Sequence, residues 1–176
     1  DPRVAVVDLA AAAQSDLIVI TAGLRRKPDE SRLDLVQRNV SLFLSILDGL
    51  QGAGLGPRAR LVVVSNPVDI LTHLAVRKAG LSPGSVIGLG TLLDTARFRS
   101  LIADQLAIAP TQVSGLILGE HGDSMVPVWS SVTWNGLPLD KHPGFGAPVR
   151  ERVFEKTRQS GAEIIRLKGG AGWAVG

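Results

Sequence analysis

Short apolar segments, rich in β-branched residues and closed by turn residues, recur along the first half of the chain. RVAVVDL (3–9), DLIVITAG (16–23) and RLVVVSNP (60–67) have this pattern, and a shorter segment, VIGLG, covers 86–90. Runs of this length bounded by Gly, Pro, Asn or Asp are typical of buried strands. We therefore predict strands at these positions.

The stretches between these segments predict helices. One helix is predicted over 32–50, and a second follows Asn66-Pro67 and runs to about Lys78, where Ala79-Gly80 ends it. Strands that alternate with helices in this way predict an α/β fold with a parallel sheet.

The pattern changes near Gly88 to Gly90. A helix is predicted over 92–106, then the apolar segments become shorter and the turns denser, and a last helix is predicted over 149–168. We therefore predict two domains: residues 1–88 with the parallel sheet and residues 89–176 with a mixed α+β arrangement.

Composition excludes several classes of protein. The chain is 45% hydrophobic, which predicts a packed core, but no apolar run reaches the roughly 20 residues of a membrane span. The first residues lack the order of a secretory signal, so we expect a cytoplasmic protein without a membrane partner. There is no cysteine, hence no disulfide or thiolate metal site, and no metal site is predicted. The net charge is +3, but the basic residues are scattered and aromatics make up only 4%, so nucleic acid is not an expected partner.

One histidine has an unusual setting. His121 lies in LGEHGDSMVPVW (118–129), between two glycines and close to an aspartate. Histidine is a natural proton donor near neutral pH, but a lone histidine in a turn is more often structural. The residues alone leave both interpretations open, and His73 and His142 have no comparable surroundings.

Four motifs in order carry a resemblance that covers nearly the whole chain. They are VITAGLRRKPDESRLDLVQRNV (19–40), VVVSNPVDILT (62–72), VIGLGTLLDTARFR (86–99) and GEHGDSMVPVWS (119–130). The chain resembles the lactate/malate dehydrogenase family of NAD-dependent 2-hydroxy acid dehydrogenases. The resemblance implies part of a Rossmann-type parallel sheet followed by part of a mixed α+β substrate domain, NAD as the cofactor, and a small 2-keto or 2-hydroxy acid as the substrate. The family's members are usually dimers or tetramers, which implies a homo-oligomer.

The resemblance does not extend to the family's first strand, glycine-rich turn and ribose-binding acid. GAGLGPR (52–58) lacks the strand and helix that flank a phosphate loop, and Asp8 lies too close to VITAG, so we expect it in a loop or at a strand end. The chain is therefore expected to be the middle of a longer protein. The alternative of another class is a non-catalytic fragment that cannot hold the cofactor alone.

The resemblance assigns the catalytic roles. Hydride transfer to a 2-keto acid leaves charge on the keto oxygen, and His121 takes the role of the proton donor. Asp94 fixes the tautomer of the imidazole. Arg97 grips the C1 carboxylate through a two-pronged contact, which a planar guanidinium suits. By spacing alone, Asp94 and Arg97 are equally an ordinary helical ion pair.

Further contacts are implied on the first half of the chain. Arg32 resembles the arginine of a mobile loop that closes over the substrate and polarises the keto group. Asn66 resembles the asparagine that binds both substrate and nicotinamide ribose, and Pro67 is expected to follow a cis peptide bond. Further cofactor contacts match the ends of two strands and one helix, namely Thr21, Ala22, Gly23, Leu24, Asn39, Val64 and Ser65.

Arg26 bears on the choice of substrate. In the family this position is typically glutamine in lactate enzymes and arginine in malate enzymes, where it binds the second carboxylate. Ala171 stands where lactate enzymes usually have threonine, which implies a roomier pocket. We therefore expect a lactate-dehydrogenase-like malate dehydrogenase, although Glu30 and GEHGDS are closer to the lactate branch. L-lactate dehydrogenase is the alternative, in which Arg26 is a solvated charge or exchanges roles with Arg25.

Overall fold

The computed structural model describes residues 1–25, 29 and 31–169, and for Arg32 the backbone alone. The chain forms two compact units, Asp1–Leu89 and Gly90–Gly176. None of the helices in the described ranges is long and apolar enough to cross a membrane.

The first unit contains a parallel three-stranded sheet. Its elements in chain order are α1 (Leu9–Ala12), β1 (Leu17–Ile20), α2 (Arg32–Gly52), β2 (Arg60–Val63), α3 (Val68–Lys78) and β3 (Val86–Gly88). The strand order is β1-β2-β3, with Leu17 opposite Arg60 and Leu61 opposite Val86. The predicted α/β class with a parallel sheet is confirmed, and the carboxyl ends of the three strands lie at one edge.

Helix α2 begins at a polar cap and packs through an apolar stripe. The Ser31 hydroxyl accepts a hydrogen bond from the Asp34 backbone N–H at 3.1 Å, which satisfies one of the unpaired donors of the first turn. Phe43, Leu47 and Leu50 recur at helical spacing and are buried in the cluster that contains the β2 side chains. The stripe explains why the sequence predicts this helix.

Helix α3 ends at Lys78, as the sequence predicts. It follows the Asn66-Pro67 bond, which is cis as expected, and it ends before Ala79 and Gly80. Gly80 has a φ of +69°, a left-handed conformation that favours glycine. Gly88 of β3 faces this helix so closely that a Cβ there would lie 3.2 Å from Thr72 Cβ.

The strand predicted at RVAVVDL is wrong. Residues 3–7 have no regular secondary structure, and Val4 and Val6 are 98% and 104% exposed. Asp8 is the N-cap of α1, where its carboxylate accepts a hydrogen bond from the Ala11 backbone N–H at 2.8 Å. A β-branched run gives strand propensity, but a strand also needs a hydrogen-bonded neighbour. Within the described ranges β1 pairs only with β2, so residues 3–7 have no such neighbour.

The second unit combines two long helices with very short strands. Its elements are α4 (Leu92–Leu106), β4 (Val113–Ser114), β5 (Ile117–Leu118), β6 (Val126–Pro127), β7 (Thr133–Trp134), β8 (Leu137–Pro138) and α5 (Ala147–Lys168). The strands form two antiparallel sheets, β4-β7-β8 and β5-β6. The predicted mixed α+β arrangement is confirmed. Its core includes Phe98 and Ile102 of α4 and Val153 of α5.

Candidate active site

A buried carboxylate meets an accessible imidazole in the second unit. His121 Nδ1 lies 2.6 Å from Asp94 Oδ2. Asp94 is 2% exposed, whereas the His121 side chain is 27% exposed. Because an ionised carboxylate only accepts hydrogen bonds, we assign Nδ1–H as the donor and the Asp94 carboxylate as the acceptor. The imidazole is thus held at Nδ1 while its ring stays accessible.

The turn between β5 and β6 carries His121 and is stabilised by hydrogen bonds between its own residues. Gly119 has a φ of +91°, which lets the chain leave β5 in a left-handed conformation. The Ser124 hydroxyl donates to the Glu120 carboxylate at 2.5 Å, and the Gly122 backbone N–H donates to the Glu120 carbonyl at 3.0 Å. A Cβ on Gly122 would lie 3.2 Å from Glu120 Cδ, so the glycine lets this carboxylate cross the turn.

Arg97 lies one turn after Asp94 on α4. Its Nη1 atom is 3.9 Å from Asp94 Oδ1, whereas His121 Nδ1 lies 2.6 Å from the other carboxylate oxygen, Oδ2. Arg97 also lines a cavity of about 310 Å³ between α4 and α5, together with Ser160 and Glu163 of α5. The Asp94 carboxylate therefore faces both His121 and Arg97. The spacing of three on a helix had predicted that Asp94 and Arg97 face the same way.

Helix α4 is bound to β5 by side-chain hydroxyls. The Thr91 hydroxyl donates to the Ile117 carbonyl at 2.5 Å, and the Ile117 backbone N–H donates to the Thr95 hydroxyl at 3.0 Å. Arg99 Nε donates to the Gly115 carbonyl at 2.9 Å. These contacts connect the helix that carries Asp94 to the strand that leads into the His121 turn.

In the first unit, Asn39 holds the segment that follows β1. Its amide oxygen accepts from the Leu24 backbone N–H at 2.7 Å, and its amide nitrogen donates to the carbonyls of Leu24 and Leu35, at 3.4 and 3.0 Å. Asn39 is buried, whereas residues Thr21 to Leu24, of which it binds Leu24, are exposed. The Asn39 side-chain amide therefore binds backbone groups. Gly23 lies beside it, since a Cβ at Gly23 would be 3.6 Å from Asn39 Oδ1.

The segment after β2 lies at the same edge of the sheet. The Val64 backbone N–H donates to the Ile20 carbonyl at 2.9 Å, and the Ser65 hydroxyl donates to the same carbonyl at 3.2 Å. Asn66 is exposed, and its side-chain oxygen accepts from the Val68 backbone N–H at 3.3 Å, at the start of α3. The ends of β1 and β2 are thus fixed to one another.

The remaining predicted site residues are described in part or not at all. Arg26 and Ala171 lie outside the described residues, and so does the side chain of Arg32, whose backbone begins α2. Asn39 and Asn66 belong to the first unit; Asp94, Arg97 and His121 belong to the second.

Sequence reasoning missed two sets of contacts around His121. Thr91 and Thr95 bind the backbone of a residue more than 20 positions away, and only their spacing of four on a predicted helix was visible. Glu120 and Ser124 also have a spacing of four, but they lie in a turn, where spacing indicates no contact.

Both halves of the chain match models of one family. Residues 3–88 match the model described as "lactate/malate dehydrogenase, NAD binding domain", and residues 91–176 match "lactate/malate dehydrogenase, alpha/beta C-terminal domain".

Curated relatives and solved structures agree with these matches. The chain is 45% identical over 170 residues to an L-lactate dehydrogenase of Synechococcus sp. (strain JA-3-3Ab), covering 96% of this chain and 55% of that protein. It is similar to the minor L-lactate dehydrogenase of Enterococcus mundtii, with a TM-score of 0.87, 38% identity and coverage of 93% and 53%. It is also similar to the malate dehydrogenase of Plasmodium falciparum, with a TM-score of 0.83 and 34% identity. That match covers 93% of this chain and 52% of the other. The chain spans about half the length of the curated relatives that it matches.

Proposed function

Because the chain belongs to the lactate/malate dehydrogenase family, we propose that the complete protein is an oxidoreductase that transfers a hydride between NAD and a small 2-hydroxy acid. The observation that carries this proposal is the hydrogen bond of 2.6 Å between His121 Nδ1 and the buried Asp94 carboxylate. Because Nδ1 is held by the carboxylate, the proposal assigns proton transfer to the other ring nitrogen, Nε2.

His121 supplies the proton when a 2-keto acid is reduced. The hydride adds to C2, the carbonyl π bond breaks, and the electron pair left on oxygen takes the proton from Nε2 of the imidazolium. Asp94 keeps the other proton on Nδ1 and stabilises the charged ring before transfer. In the reverse direction the neutral imidazole takes the hydroxyl proton, so the same pair serves both directions.

Arg97 is proposed to bind the C1 carboxylate of the substrate. Its guanidinium lies 3.9 Å from Asp94 Oδ1, beyond direct hydrogen-bonding distance and on the same carboxylate that contacts His121. A guanidinium that is not bound tightly to a protein carboxylate has N–H groups to offer an acid ligand. Arg32 and Asn66 are proposed to polarise the keto oxygen and to bind substrate, as the resemblance implies.

The first unit fits the cofactor that its family model names. NAD, when bound, supplies or accepts the hydride. Open parallel sheets bind nucleotides outside the carboxyl ends of their strands, and Thr21 to Gly23 and Ser65-Asn66 are small or polar residues at these ends. Asn39 holds the Leu24 backbone, so the segment after β1 is fixed before a ligand arrives. These residues are proposed to contact NAD, with Asn66 at the nicotinamide ribose.

Two substrates of this class are candidates, and different observations favour them. Arg26, at the position that binds a second carboxylate in malate enzymes, and the small Ala171 favour oxaloacetate and malate. The name of the Synechococcus relative, L-lactate dehydrogenase, favours pyruvate and lactate. The comparisons do not favour malate over lactate. A homo-oligomer, dimer or tetramer, is proposed for the complete protein on the family resemblance.

The test is an assay of the purified complete protein. NADH oxidation is followed by its absorbance with pyruvate, with oxaloacetate and with neither. Turnover of one of the keto acids supports the proposal, and the ratio of the two kcat/KM values identifies the substrate. Absence of turnover with both keto acids, in a protein that binds NADH, would contradict it.

A further inference from the structure

Three side chains at intervals of four residues, at the start of α4 and along one side of it, bind the backbone of β5 or of the residues just before it. They are Thr91, the N-cap residue, Thr95 and Arg99. Thr91 and Arg99 donate to the carbonyls of Ile117 and Gly115, at 2.5 and 2.9 Å. Thr95 contacts both backbone groups of Ile117: its hydroxyl accepts from the N–H at 3.0 Å and donates to the carbonyl at 3.4 Å.

The register of the β5-β6 hairpin explains why Ile117 needs these partners. The Val128 backbone N–H donates to the Leu116 carbonyl, and Ile117 is opposite Pro127, which has no N–H. Antiparallel pairs alternate between bonded and non-bonded, so the N–H and carbonyl of Ile117 point away from β6. Ile117 is buried, and unpaired backbone groups there would be costly. The threonines of α4 take the place of a third strand.

The same contact connects the helix that carries Asp94 to the strand that precedes His121. Thr95 follows Asp94 directly, and Ile117 precedes His121 by four residues, on the strand that leads into the turn. Successive residues of a helix point about 100° apart, so Asp94 can face the imidazole while Thr95 faces the strand. A shift of α4 along β5 would move Asp94 relative to His121.

We infer that Thr95 is a positioning residue that sets the Asp94–His121 geometry through Ile117, with Thr91 as its support. The expected change in kcat rests on the proposed function, whereas the expected change in the Asp94–His121 distance does not. Thr95 touches neither Asp94 nor His121 through its hydroxyl in the contacts above, so it acts through the strand.

Thr157 provides a matched control. It is 1% exposed, against 4% for Thr95, and its hydroxyl donates at 2.8 Å to the Val153 carbonyl within α5. Thr157→Val thus removes a buried threonine hydroxyl of the same unit without touching the α4-β5 contact. Thr95→Ser keeps the hydroxyl and removes only a methyl group.

The experiment compares Thr95→Val, Thr95→Ser, Thr91→Val and Thr157→Val in the complete protein. We expect Thr95→Val to lower kcat by about 10- to 100-fold, the effect of a displacement near 1 Å at a reacting group. The NADH affinity of Thr95→Val should equal that of the unmodified protein. Thr95→Ser should retain most of kcat, and Thr91→Val should lower kcat less than Thr95→Val does. Thr157→Val should leave kcat unchanged. If Thr95→Val does not fold, Thr91→Val must lower kcat relative to both Thr95→Ser and Thr157→Val.

A crystal structure of the Thr95→Val protein, or of Thr91→Val if Thr95→Val does not fold, separates this inference from the proposed function. The Asp94–His121 distance should exceed about 3.2 Å, the limit of an N–H···O hydrogen bond. If the unmodified protein reduces neither keto acid, the proposed function fails. The Asp94–His121 distance in the variant then decides by itself whether Thr95 is a positioning residue. An unchanged distance, an unchanged kcat, or an equal loss of kcat in Thr157→Val overturns the role of Thr95.

Discussion

Asp94 Oδ2 and His121 Nδ1 lie 2.6 Å apart although the two residues are 27 positions apart in the chain. The carboxylate is buried on a helix and the imidazole is accessible on a turn, so one group is shielded from water while the other can meet a ligand. A surface ion pair would expose both partners. This asymmetry is what an acid–base pair needs, because the orienting group stays fixed while the working group reaches the substrate.

Replacement of His121 by Asn should lower kcat by about 100- to 10,000-fold, the usual contribution of general acid–base catalysis. The fold and NADH affinity should be preserved, because His121 lies in an accessible turn. Steady-state kinetics and NADH titration of the complete protein measure both. His73→Asn is the control, since His73 is exposed on α3 in the first unit. A variant at 121 with turnover close to that of the control would make His121 a structural residue.

Replacement of Arg26 by Gln should shift the ratio of kcat/KM from oxaloacetate toward pyruvate. Oxaloacetate has a second carboxylate, and breaking a desolvated charge pair costs about 2 to 5 kcal/mol. With pyruvate the same arginine faces a methyl group and has no ion pair to lose. Arg25→Gln is the matched control, since it removes the same charge one position away. A preference of the unmodified protein for pyruvate, or an equal shift in both variants, would favour the lactate assignment.

Replacement of Asn39 by Ala should weaken NADH binding. The N–H and carbonyl of Leu24 would lose their shared partner, and the segment after β1 would no longer be fixed before binding. We expect a Kd about tenfold higher, equivalent to ~1.4 kcal/mol. Calorimetric titration with NADH checks this value. Gln37→Ala, an exposed change on the same helix, should leave the Kd as it is, and a matching loss there would show a general effect on α2.

Replacement of Gly88 by Ala should destabilise the first unit. The new Cβ would lie 3.2 Å from Thr72 Cβ and Cγ2, and closer still to its hydroxyl. Overpacking of this kind costs about 1–3 kcal/mol. Thermal unfolding should show a lower Tm for Gly88→Ala and a partial recovery when Thr72→Ala is added.

Gly84→Ala is the control for this substitution, because a Cβ at Gly84 would meet nothing within 4 Å. Its Tm should stay near that of the unmodified protein. If the added Thr72→Ala lowers the Tm further, contact with Thr72 is not the cause of the loss.

Apart from the single-turn α1, which was not predicted, the helices could be predicted from the sequence because their signals are local. Helix α4 has the predicted bounds, and α3 ends where Ala79-Gly80 indicated. Helix α5 begins two residues before the predicted start, since Pro148 is favoured in the first turn but does not contribute to an apolar periodicity. The failure at residues 3–7 has the opposite cause, because strand formation depends on a neighbour that the segment itself does not specify.

The candidate site depended on a different kind of information. Spacing on one helix predicted that Asp94 and Arg97 face the same way, but the pairing of Asp94 with His121 came only from the family resemblance. No pattern reveals a hydrogen bond between a threonine hydroxyl and a backbone group 22 residues away, as between Thr95 and Ile117. Contacts of this kind are set by the packing of one element on another.

Strand β1 pairs with β2 alone within the described ranges, and Leu17 and Val19 on it are more than half exposed. Among the residues that the structure describes, no strand pairs with the other side of β1, whose backbone groups lie next to these apolar side chains. Such an edge is a template for strand addition between molecules. The 176-residue chain, prepared by itself, should therefore lose colloidal stability as its concentration rises, and a lysine in place of Val19 should keep it in solution longer.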